Sequence, residues 1–339
     1  MPDDDVTPSP DSSPTDWAGS GTGSGRGRVA VVAGSSGLIG SALVDALLES
    51  GWRVRRLVRP GSRSTGHERR GGDVSNVVCD PATASLDPDS LAGASLVVNL
   101  AGAGIGDKRW TEARKATITL SRTSATSLLA GTLAQSLRAG TVDEGVRLLQ
   151  GSAVGWYGDR GDEVLTEDSP AGSGFLAEVC EAWESAARPA ADAGASVTYL
   201  RTGIVLSSKG GALGRVLPLA RLGLSGPLGG GEQWWPWITL EDHVRAQLFL
   251  ADSTLAGPVN LAAPGEARQK DVLRAISREL RRPFGLPVPG FALRVALGEF
   301  AEDVLASQRM RPLALEGAGF GFSHTSPEAA ARALMHDGV

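Results

Sequence analysis

The chain of 339 residues carries a net charge of −5 and 42% hydrophobic residues, a composition typical of a globular protein. This acidic balance offers no basic face for nucleic acid, and no apolar run is long enough to span a bilayer. The two cysteines, Cys79 and Cys180, lie too far apart in sequence to form a metal-binding motif. We therefore expect a soluble cytoplasmic protein with reduced thiols, no metal site, and neither a nucleic-acid nor a membrane partner.

Residues 1–27 are acidic, then rich in glycine and serine, and nearly free of large apolar side chains. Such a segment cannot bury enough surface to offset its ordering entropy, so we predict a disordered tail. It lacks a basic start followed by an apolar run, which excludes a secretory signal. Folded structure is expected from residue 28 onward.

The first folded unit follows the order strand, glycine-rich loop, helix, strand. Val29–Ala33 is a short apolar run typical of a buried parallel strand, and the loop Gly34-Ser-Ser-Gly37-Leu-Ile-Gly40 comes directly after it. An amphipathic helix ends near Gly51, and a second strand covers 54–58. Glycines at these spacings allow a tight turn, close backbone approach to a pyrophosphate, and close helix–strand packing. The order of the elements disfavours ordinary turn glycines and predicts a dinucleotide site.

The residue after the second strand is Arg59, where NAD-binding proteins usually carry an acidic residue that binds the ribose 2′-hydroxyl. A guanidinium suits a 2′-phosphate, so the sequence favours NADP(H) over NAD(H). Arg63 follows in the same loop, where a solvated basic side chain is the competing interpretation. Asp80, at the end of a strand predicted at 76–80, is suitably placed to accept a hydrogen bond from an adenine amino group.

Strand–helix alternation continues for more than 200 residues, with strands predicted at 95–102, 146–154 and 196–206. The first of these ends in Asn99-Leu-Ala-Gly102, whose small residues let the backbone approach a cofactor. The pattern predicts an α/β protein built on a doubly wound parallel Rossmann sheet.

A series of ordered motifs resembles an atypical branch of the extended short-chain dehydrogenase/reductases. This branch is an NAD-dependent epimerase/dehydratase-like family, some members of which carry a cell-division-inhibitor label. The motifs are GSSGLIG, NLAGAGI, RWTEARKATITLSRTSAT, SAVGWYGDRGDEVLTEDSP, FLAEVCEAWE, LRTGIVLSSKGGAL and GGGEQWWPWITLED, followed by the tail segments AGPVNLAAP, RPFGLPVPGFALRVALGE and RMRPLALEGAGFGF. The tail is similar to the small C-terminal domain of unknown function of that family, and the resemblance covers about residues 28–335.

The resemblance implies an NADP(H)-binding Rossmann domain at 28–265, with residues 207–236 contributing to a substrate lobe, and a small C-terminal domain at 266–339. Carried over position by position, it implies cofactor contacts at Gly34, Ser35, Ser36, Gly37, Leu38, Ile39, Arg59, Asp80, Leu100, Ala101, Gly102, Ser152 and Arg201. The last two are expected to face the nicotinamide. The chain departs from the family at Thr239, where a histidine is common.

The proton-transfer pair of this superfamily, Tyr-x-x-x-Lys, is absent from the sequence. Only two tyrosines occur, and the fourth residue after Tyr157 and after Tyr199 is a glycine. On the helix where the pair belongs, Phe175 and Val179 stand in place of the phenol and the ammonium group. The usual acid–base chemistry is therefore missing.

Three residues are candidates to replace that pair: Ser152, Tyr157 and Lys115. The competing interpretations are a structural tyrosine and a solvated helix lysine. Substrate contacts are expected at Trp110, Trp156, Tyr157, Glu167 and Trp234. Tryptophans in loops after strands suit a flat, partly apolar substrate such as a sugar or ring. The alternative for the tryptophans is packing between the two lobes. The alternative for Glu167 is a helix-capping or solvated role.

Two functions of different classes fit these observations. One is an NADP-dependent oxidoreductase or epimerase-like enzyme acting on a small molecule through nonstandard acid–base residues. The other is an NADP-binding sensor or regulatory protein without turnover. The sequence leaves the substrate, the reaction direction and the oligomeric state open.

Overall fold

The computed structural model describes residues 27–62 and 73–336, so most of the predicted tail and Arg63 lie outside the described residues. The predicted strand at Val29–Ala33 is present, and all five of its residues are buried. The glycine-rich loop leads into a helix over Leu38–Glu49, and a strand over Arg53–Val58 follows. The first strand–loop–helix–strand unit therefore forms where its sequence pattern predicts it.

The described residues form twelve strands, several of only two or three residues. They are β1 (Val29–Ala33), β2 (Arg53–Val58), β3 (Val74–Asp80), β4 (Ser85–Leu86), β5 (Ala94–Asn99), β6 (Arg147–Ala153), β7 (Val164–Leu165), β8 (Ser196–Thr202), β9 (Ile204–Leu206), β10 (Trp237–Thr239), β11 (Gly257–Leu261) and β12 (Arg309–Met310).

Eleven α-helices lie between and after the strands in the same described part of the chain. They are α1 (Leu38–Glu49), α2 (Glu112–Arg138), α3 (Phe175–Ser185), α4 (Arg188–Asp192), α5 (Leu213–Arg221), α6 (Leu240–Asp252), α7 (Gln269–Glu279), α8 (Gly290–Leu297), α9 (Phe300–Leu305), α10 (Leu313–Gly317) and α11 (Pro327–His336).

The main sheet has the strand order β11-β8-β6-β5-β1-β2-β3-β4. Every pair in it is parallel except β3 with β4. From β1 the sheet continues through β2 and β3 in one direction and through β5 and β6 in the other, so the strand order reverses at β1. Open α/β sheets bind ligands at such a switch point, at the carboxyl ends of their strands. The predicted doubly wound parallel sheet is confirmed.

Helices cover both faces of the sheet and form two separate apolar cores. On one face α1 and α6 pack through residues such as Leu43, Leu47 and Leu250. On the other face α2 and α4 pack through residues such as Leu129 and Leu133. Both faces of the central strands are thus withdrawn from water, which explains why β1 and β5 are continuous apolar runs rather than alternating ones.

The strand expected over 196–206 is in fact two strands in different sheets. β8 belongs to the main sheet, whereas β9 pairs with β10 in a separate two-stranded sheet. The break falls at Gly203, whose N–H donates to the Leu261 carbonyl and where a Cβ atom would lie 2.1 Å from the Pro236 carbonyl oxygen. Long-range backbone contacts therefore divide a segment whose apolar pattern is continuous.

The third apolar core joins segments from the middle and the end of the chain. It contains Leu213 and Leu217 of α5, Ile276 of α7 and Leu334 of α11. A short parallel pair, β7 with β12, also links the loop after β6 to residues near 310. The division of the chain at residue 265 stays a prediction.

Because Gly40 is closely packed, adding a single methyl group at this position is expected to destabilise the protein. A Cβ atom at Gly40 would lie 2.2 Å from the Gly34 carbonyl oxygen, so Gly40→Ala must displace the glycine-rich loop. We expect it to lower the free energy of unfolding by about 1–3 kcal/mol, the usual cost of overpacking. Chemical denaturation monitored by circular dichroism measures the change.

Gly131 is the matched control, because it also lies inside a helix but a Cβ atom there would meet nothing within 4 Å. Gly131→Ala should leave the stability unchanged or raise it by up to about 1 kcal/mol through helix propensity. Equal effects of the two substitutions would contradict the close packing at Gly40.

Candidate functional site

The glycine-rich loop after β1 brings backbone amides to the carboxyl edge of the sheet. Gly34 has φ +77°, and a Cβ atom there would lie 2.6 Å from the Leu100 carbonyl carbon and oxygen. Gly37 precedes α1 as its N-cap but supplies no capping side chain, and the first helical turn contains no acidic residue. The N-terminal N–H groups of α1 are therefore available to an anion, and the loop fits a dinucleotide pyrophosphate.

The other predicted loop residues divide into a buried support and an exposed surface. Ser35 is buried, and its hydroxyl accepts a hydrogen bond from Arg56 Nε at 3.2 Å. Ser36 and Gly37 are exposed, whereas Leu38 and Ile39 are half-buried. Ser35 thus fixes the loop on β2, while its neighbours face the sheet edge.

Two predicted residues follow the neighbouring strands β2 and β3. Arg59 is exposed, and its carbonyl oxygen accepts the Ser62 N–H in a turn. Asp80 accepts hydrogen bonds from Ala82 N at 3.0 Å and from the Thr83 hydroxyl at 2.9 Å. The Asp80 carboxylate therefore closes its own turn, and Arg59 lies at the surface.

The segment after β5 is shaped by a buried side chain and a neighbouring arginine. Asn99 accepts the Ala101 N–H, and Leu100 donates its N–H to the Ala33 carbonyl of β1. A Cβ atom at Gly102 would lie 3.1 Å from the Arg122 guanidinium carbon, so only glycine fits there without displacing that side chain. Leu100, Ala101 and Gly102 thus line the switch point of the sheet.

A buried ion pair joins the ends of β6 and β8 to α3. Arg201 binds Glu184 through both carboxylate oxygens, at 3.0 and 3.2 Å, and both side chains are almost fully buried. The Ser152 hydroxyl donates to the same Glu184 carboxylate at 2.7 Å. The Arg201 guanidinium also lies 3.9 Å from the centre of the Trp156 ring. Ser152 and Arg201 therefore belong to one internal network.

Tyr157 extends this network and is fully buried. Its hydroxyl lies 2.6 Å from Asn260 Oδ1 and 3.0 Å from the Thr166 carbonyl, and it accepts a hydrogen bond from Arg201 Nη1 at 3.2 Å. Burial is the main cause that raises the pKa of this phenol, and Arg201 opposes it. The hydroxyl is thus held by protein partners and stays protonated, and its catalytic role remains a prediction.

Lys115 lies outside the described hydrogen-bond network that contains Ser152 and Tyr157. Its ammonium group pairs with Glu112 at 2.7 Å and Glu299 at 3.0 Å, and these hydrogen bonds raise its pKa. Near it, Phe175 packs against Trp110 with ring centres 5.0 Å apart. The part of α3 where the resemblance places the catalytic pair is therefore an apolar surface, and Lys115 ties α2 to Glu299, the residue before α9.

The remaining predicted substrate contacts lie in different places. Glu167 Oε1 accepts the N–H groups of Asn260 and Ala314, so this side chain joins β11 to α10. Trp234 donates to Asp162 at 2.7 Å and lies under the Arg268 guanidinium at 3.8 Å.

Trp110 packs between Phe175 and Phe300. Trp156, Tyr157 and the Glu167 carbonyl all contact Arg201, whereas no described contact joins Trp110 or Trp234 to this group.

The residues that the sequence analysis missed are the partners of this network. Glu184 lies one helical turn after Cys180 on the buried stripe of α3, and an acidic residue on such a stripe signals a buried cation nearby. Asn260, inside the apolar strand β11, is the second case. Their positions were visible in the sequence, but their partners come from distant segments.

Within residues 27–62 and 73–336, no helix is both long and apolar enough to cross a membrane. The same described residues contain no cluster of three histidine, cysteine or acidic side chains that could hold a metal ion.

The sheet order, the glycine-rich loop and the uncapped α1 define a Rossmann-type α/β protein with a dinucleotide-type binding edge. Residues 30–262 match the model of the NAD dependent epimerase/dehydratase family, and residues 288–334 match a domain of unknown function, DUF1731. The chain belongs to the NAD dependent epimerase/dehydratase family. The family indicated by the sequence motifs is therefore confirmed, as is its C-terminal domain.

Three relatives illustrate this membership. An epimerase family protein from Mycobacterium bovis, Mb2239, is 42% identical over 301 residues, which cover 88% of this chain and 94% of that protein. The chloroplastic SDR39U1 homolog of Arabidopsis thaliana is 34% identical over 90% of this chain and 86% of its own.

The crystal structure of human epimerase family protein SDR39U1 with NADPH superposes with a TM-score of 0.78 at 27% identity. It covers 91% of this chain and 99% of the human chain.

Removing one partner of the Glu184–Arg201 pair should destabilise the protein strongly. Glu184→Gln leaves the shape almost unchanged but leaves the Arg201 charge buried without a counter-charge. Breaking one side of a buried pair typically costs about 3–5 kcal/mol of unfolding free energy, which chemical denaturation would measure.

The control is Glu163→Gln, the same substitution in the Arg160–Glu163 pair, whose glutamate is 49% exposed. A change of less than about 0.5 kcal/mol is expected there. A similarly small effect at Glu184 would show that the buried pair is not needed for folding.

Proposed function

We propose that the protein is an NADP(H)-dependent oxidoreductase or epimerase-like enzyme that acts on a small, sugar-like or cyclic molecule. The observation that carries the proposal is the uncapped N-terminus of α1 behind a glycine loop into which no Cβ atom fits at Gly34 or Gly40. Its relative SDR39U1, which shares the fold over nearly its whole length, was crystallised with NADPH.

The residues that would hold the cofactor lie along the carboxyl edge of the sheet. The N–H groups of the loop and of the first turn of α1 suit the pyrophosphate, and the small residues after β5 leave room for the nicotinamide half. The candidate contacts are Gly34, Ser35, Ser36, Gly37, Leu38, Ile39, Asp80, Leu100, Ala101 and Gly102. A bound nicotinamide supplies or accepts a hydride.

Preference for NADP(H) over NAD(H) rests on Arg59. It follows β2, where the adenosine ribose lies in Rossmann proteins, and its guanidinium is exposed. A guanidinium forms charge-assisted hydrogen bonds with a phosphate and has no comparable partner in a 2′-hydroxyl. The selectivity of this site therefore comes from one charged side chain.

A second function, an NADP-binding sensor without turnover, is favoured by the state of the two predicted hydroxyls. The Ser152 hydroxyl is hydrogen-bonded to Glu184, and the Tyr157 hydroxyl is hydrogen-bonded to Asn260, both inside the protein. Neither is poised to exchange a proton with a substrate in this arrangement. The two functions share cofactor binding and differ in whether a proton donor faces the cleft.

Arg59→Ala should weaken NADPH binding about 10- to 100-fold, as the loss of a charge-assisted hydrogen bond predicts, and should change NADH binding less than about twofold. Fluorescence of the bound dihydronicotinamide measures both affinities. Arg53→Ala is the matched control, because Arg53 lies at the opposite end of β2. Equal losses for NADPH and NADH would defeat the assignment to the 2′-phosphate.

Turnover separates the enzyme from the sensor. The enzyme is expected either to consume NADPH with at least one member of a panel of sugar nucleotides and cyclic ketones, as followed by NADPH absorbance, or to convert a panel member to its epimer without net change of the cofactor, as followed by chromatography of the products. Ser152→Ala and Tyr157→Phe in the same assays test whether either hydroxyl takes part. A protein that binds NADPH but neither changes its absorbance nor converts any panel member would instead be the sensor.

A further inference from the structure

Asp303, an acidic residue of the C-terminal part, lies on a helix that packs near the expected position of the catalytic pair. Asp303 lies on α9, one turn after Phe300, so the two side chains share a face of the helix. The Phe300 ring packs on Trp110 with centres 5.4 Å apart and lies 3.2 Å from the Cβ position of Gly106. This face of α9 therefore meets the apolar surface formed by Trp110 and Phe175.

The charge of Asp303 acts on the thiol of Cys180, which lies on α3. Burial is the main cause that raises the pKa of Cys180 to about 12, and the Asp303 charge contributes to that rise. The Arg122 guanidinium acts on the same thiol in the opposite direction. Cys180 Sγ lies 3.7 Å from the carbonyl oxygen of Ala153, the last residue of β6. Cys180 thus lies at the carboxyl end of β6, the edge at which a Rossmann protein holds its nicotinamide.

Asp303 has no structural partner to explain its position. Among the described residues, no hydrogen bond or ion pair involves its carboxylate, although the side chain is half-buried. The acidic residues beside it are paired, Glu299 with Lys115 and Glu302 with Arg294. Burial alone raises the pKa of Asp303 to about 6. A lone acid in such a place lowers stability, and acids of this kind concentrate where proton transfer is needed.

We propose that Asp303 is the group that gives and takes the substrate proton in this cleft, in place of the absent tyrosine. This inference rests on the proposed NADP(H)-dependent function. In the reducing direction, a hydride from the bound dihydronicotinamide forms a C–H bond with the carbonyl carbon, and the O–H bond of the Asp303 carboxyl breaks. Its proton goes to the carbonyl oxygen, leaving an alcohol, an oxidised nicotinamide and an Asp303 carboxylate.

The proposed substrate is therefore a small molecule with a ketone or secondary alcohol beside an apolar patch. Phe175 and Trp110 supply that patch, and Arg122 supplies a cation next to Gly102. Arg122 already donates to the Ala103 and Ile118 carbonyls at 3.0 and 3.1 Å, which holds its guanidinium in place.

Charged and titratable groups surround α9, but burial is the cause that raises the pKa of Asp303. On α3 these groups are Cys180 and Glu184, and on α2 they are Lys115 and Arg122. Arg109 lies in the loop before α2 and Arg294 lies on α8. Glu299 and Glu302 lie beside Asp303 itself. None of these forms an ion pair with Asp303 among the described residues, so its protonation is controlled mainly by burial.

Carbodiimide labelling with glycine ethyl ester tests the proposal directly, because the reagent attacks protonated carboxyl groups. At pH 6 about one ordinary aspartate in a hundred is protonated, so Asp303 should react at least about tenfold faster than exposed acids such as Glu302. Peptide mass spectrometry measures both rates. Saturating NADPH should slow the labelling of Asp303 by at least about tenfold and leave Glu302 unchanged, because the proposal places Asp303, but not Glu302, beside the nucleotide.

Labelling of Asp303 no faster than that of Glu302 would overturn the proposal, and so would labelling that NADPH does not slow in a protein that binds it. Failure of the proposed function itself is recognised separately, as an absence of NADPH fluorescence enhancement in the same sample.

Asp303→Asn provides a second measurement that does not depend on the reagent or the nucleotide. A carboxyl group whose pKa is raised on folding destabilises the protein as pH rises through 6, and an amide does not. The thermal midpoint of Asp303→Asn relative to the wild type should therefore rise as the pH increases from about 4 to about 6, and should exceed the wild type by a few degrees at pH 8. Glu302→Gln should show no such pH dependence. A lower midpoint for Asp303→Asn at pH 8 would identify Asp303 as a structural acid and overturn the proposal.

Discussion

The buried ion pair between Glu184 and Arg201 is the interaction on which the centre of this structure depends. Removing two charges from water costs several kcal/mol for each, and the cost is offset only when geometry is good and the remaining donors are satisfied. Here the pair is bidentate, and Arg201 also binds Tyr157 and the Glu167 carbonyl. One guanidinium therefore fixes α3, the end of β6 and the loop that leads to β7. Hydroxyl groups that could serve catalysis in a related protein are used here to stabilise that charge.

The nucleotide loop depends on a different constraint, which is steric rather than electrostatic. Gly34 packs on the Leu100 backbone and Gly40 on Gly34 itself, so β1, β5 and α1 approach at one point. The glycines that allow this close approach can be recognised in the sequence, and Gly34 and Gly40 lie near each other along the chain. That is why the strand, loop, helix and second strand could be predicted correctly, together with the sheet to which they belong.

The rest of the candidate site could not be predicted, because its contacts join distant segments. Glu184 and Asn260 are visible as polar residues in apolar elements, but nothing local identifies Arg201 and Tyr157 as their partners. The segment 196–206 is uniformly apolar, and only the approach of the Pro236 and Leu261 backbones at Gly203 divides it. Trp234 and Glu167 are predicted substrate contacts because of their loop positions, and in the structure their side chains also link loops and helices, which the sequence did not indicate. Chemistry-bearing residue types thus identified the region but not the role of each side chain.

The loss of the usual catalytic pair and the position of α9 are connected through packing. Phe175 and Trp110 form an apolar surface that a charged lysine would not tolerate without a partner. Phe300 covers that surface, and the Lys115–Glu299 ion pair holds the start of α9 against α2. The same contact sets the face of α9 that carries both Phe300 and Asp303 against this surface. If the cleft carries out proton transfer with Asp303, its acid therefore depends on the docking of the C-terminal part, and placing tyrosine and lysine on α3 alone would meet the packed side chains of Trp110 and Phe300.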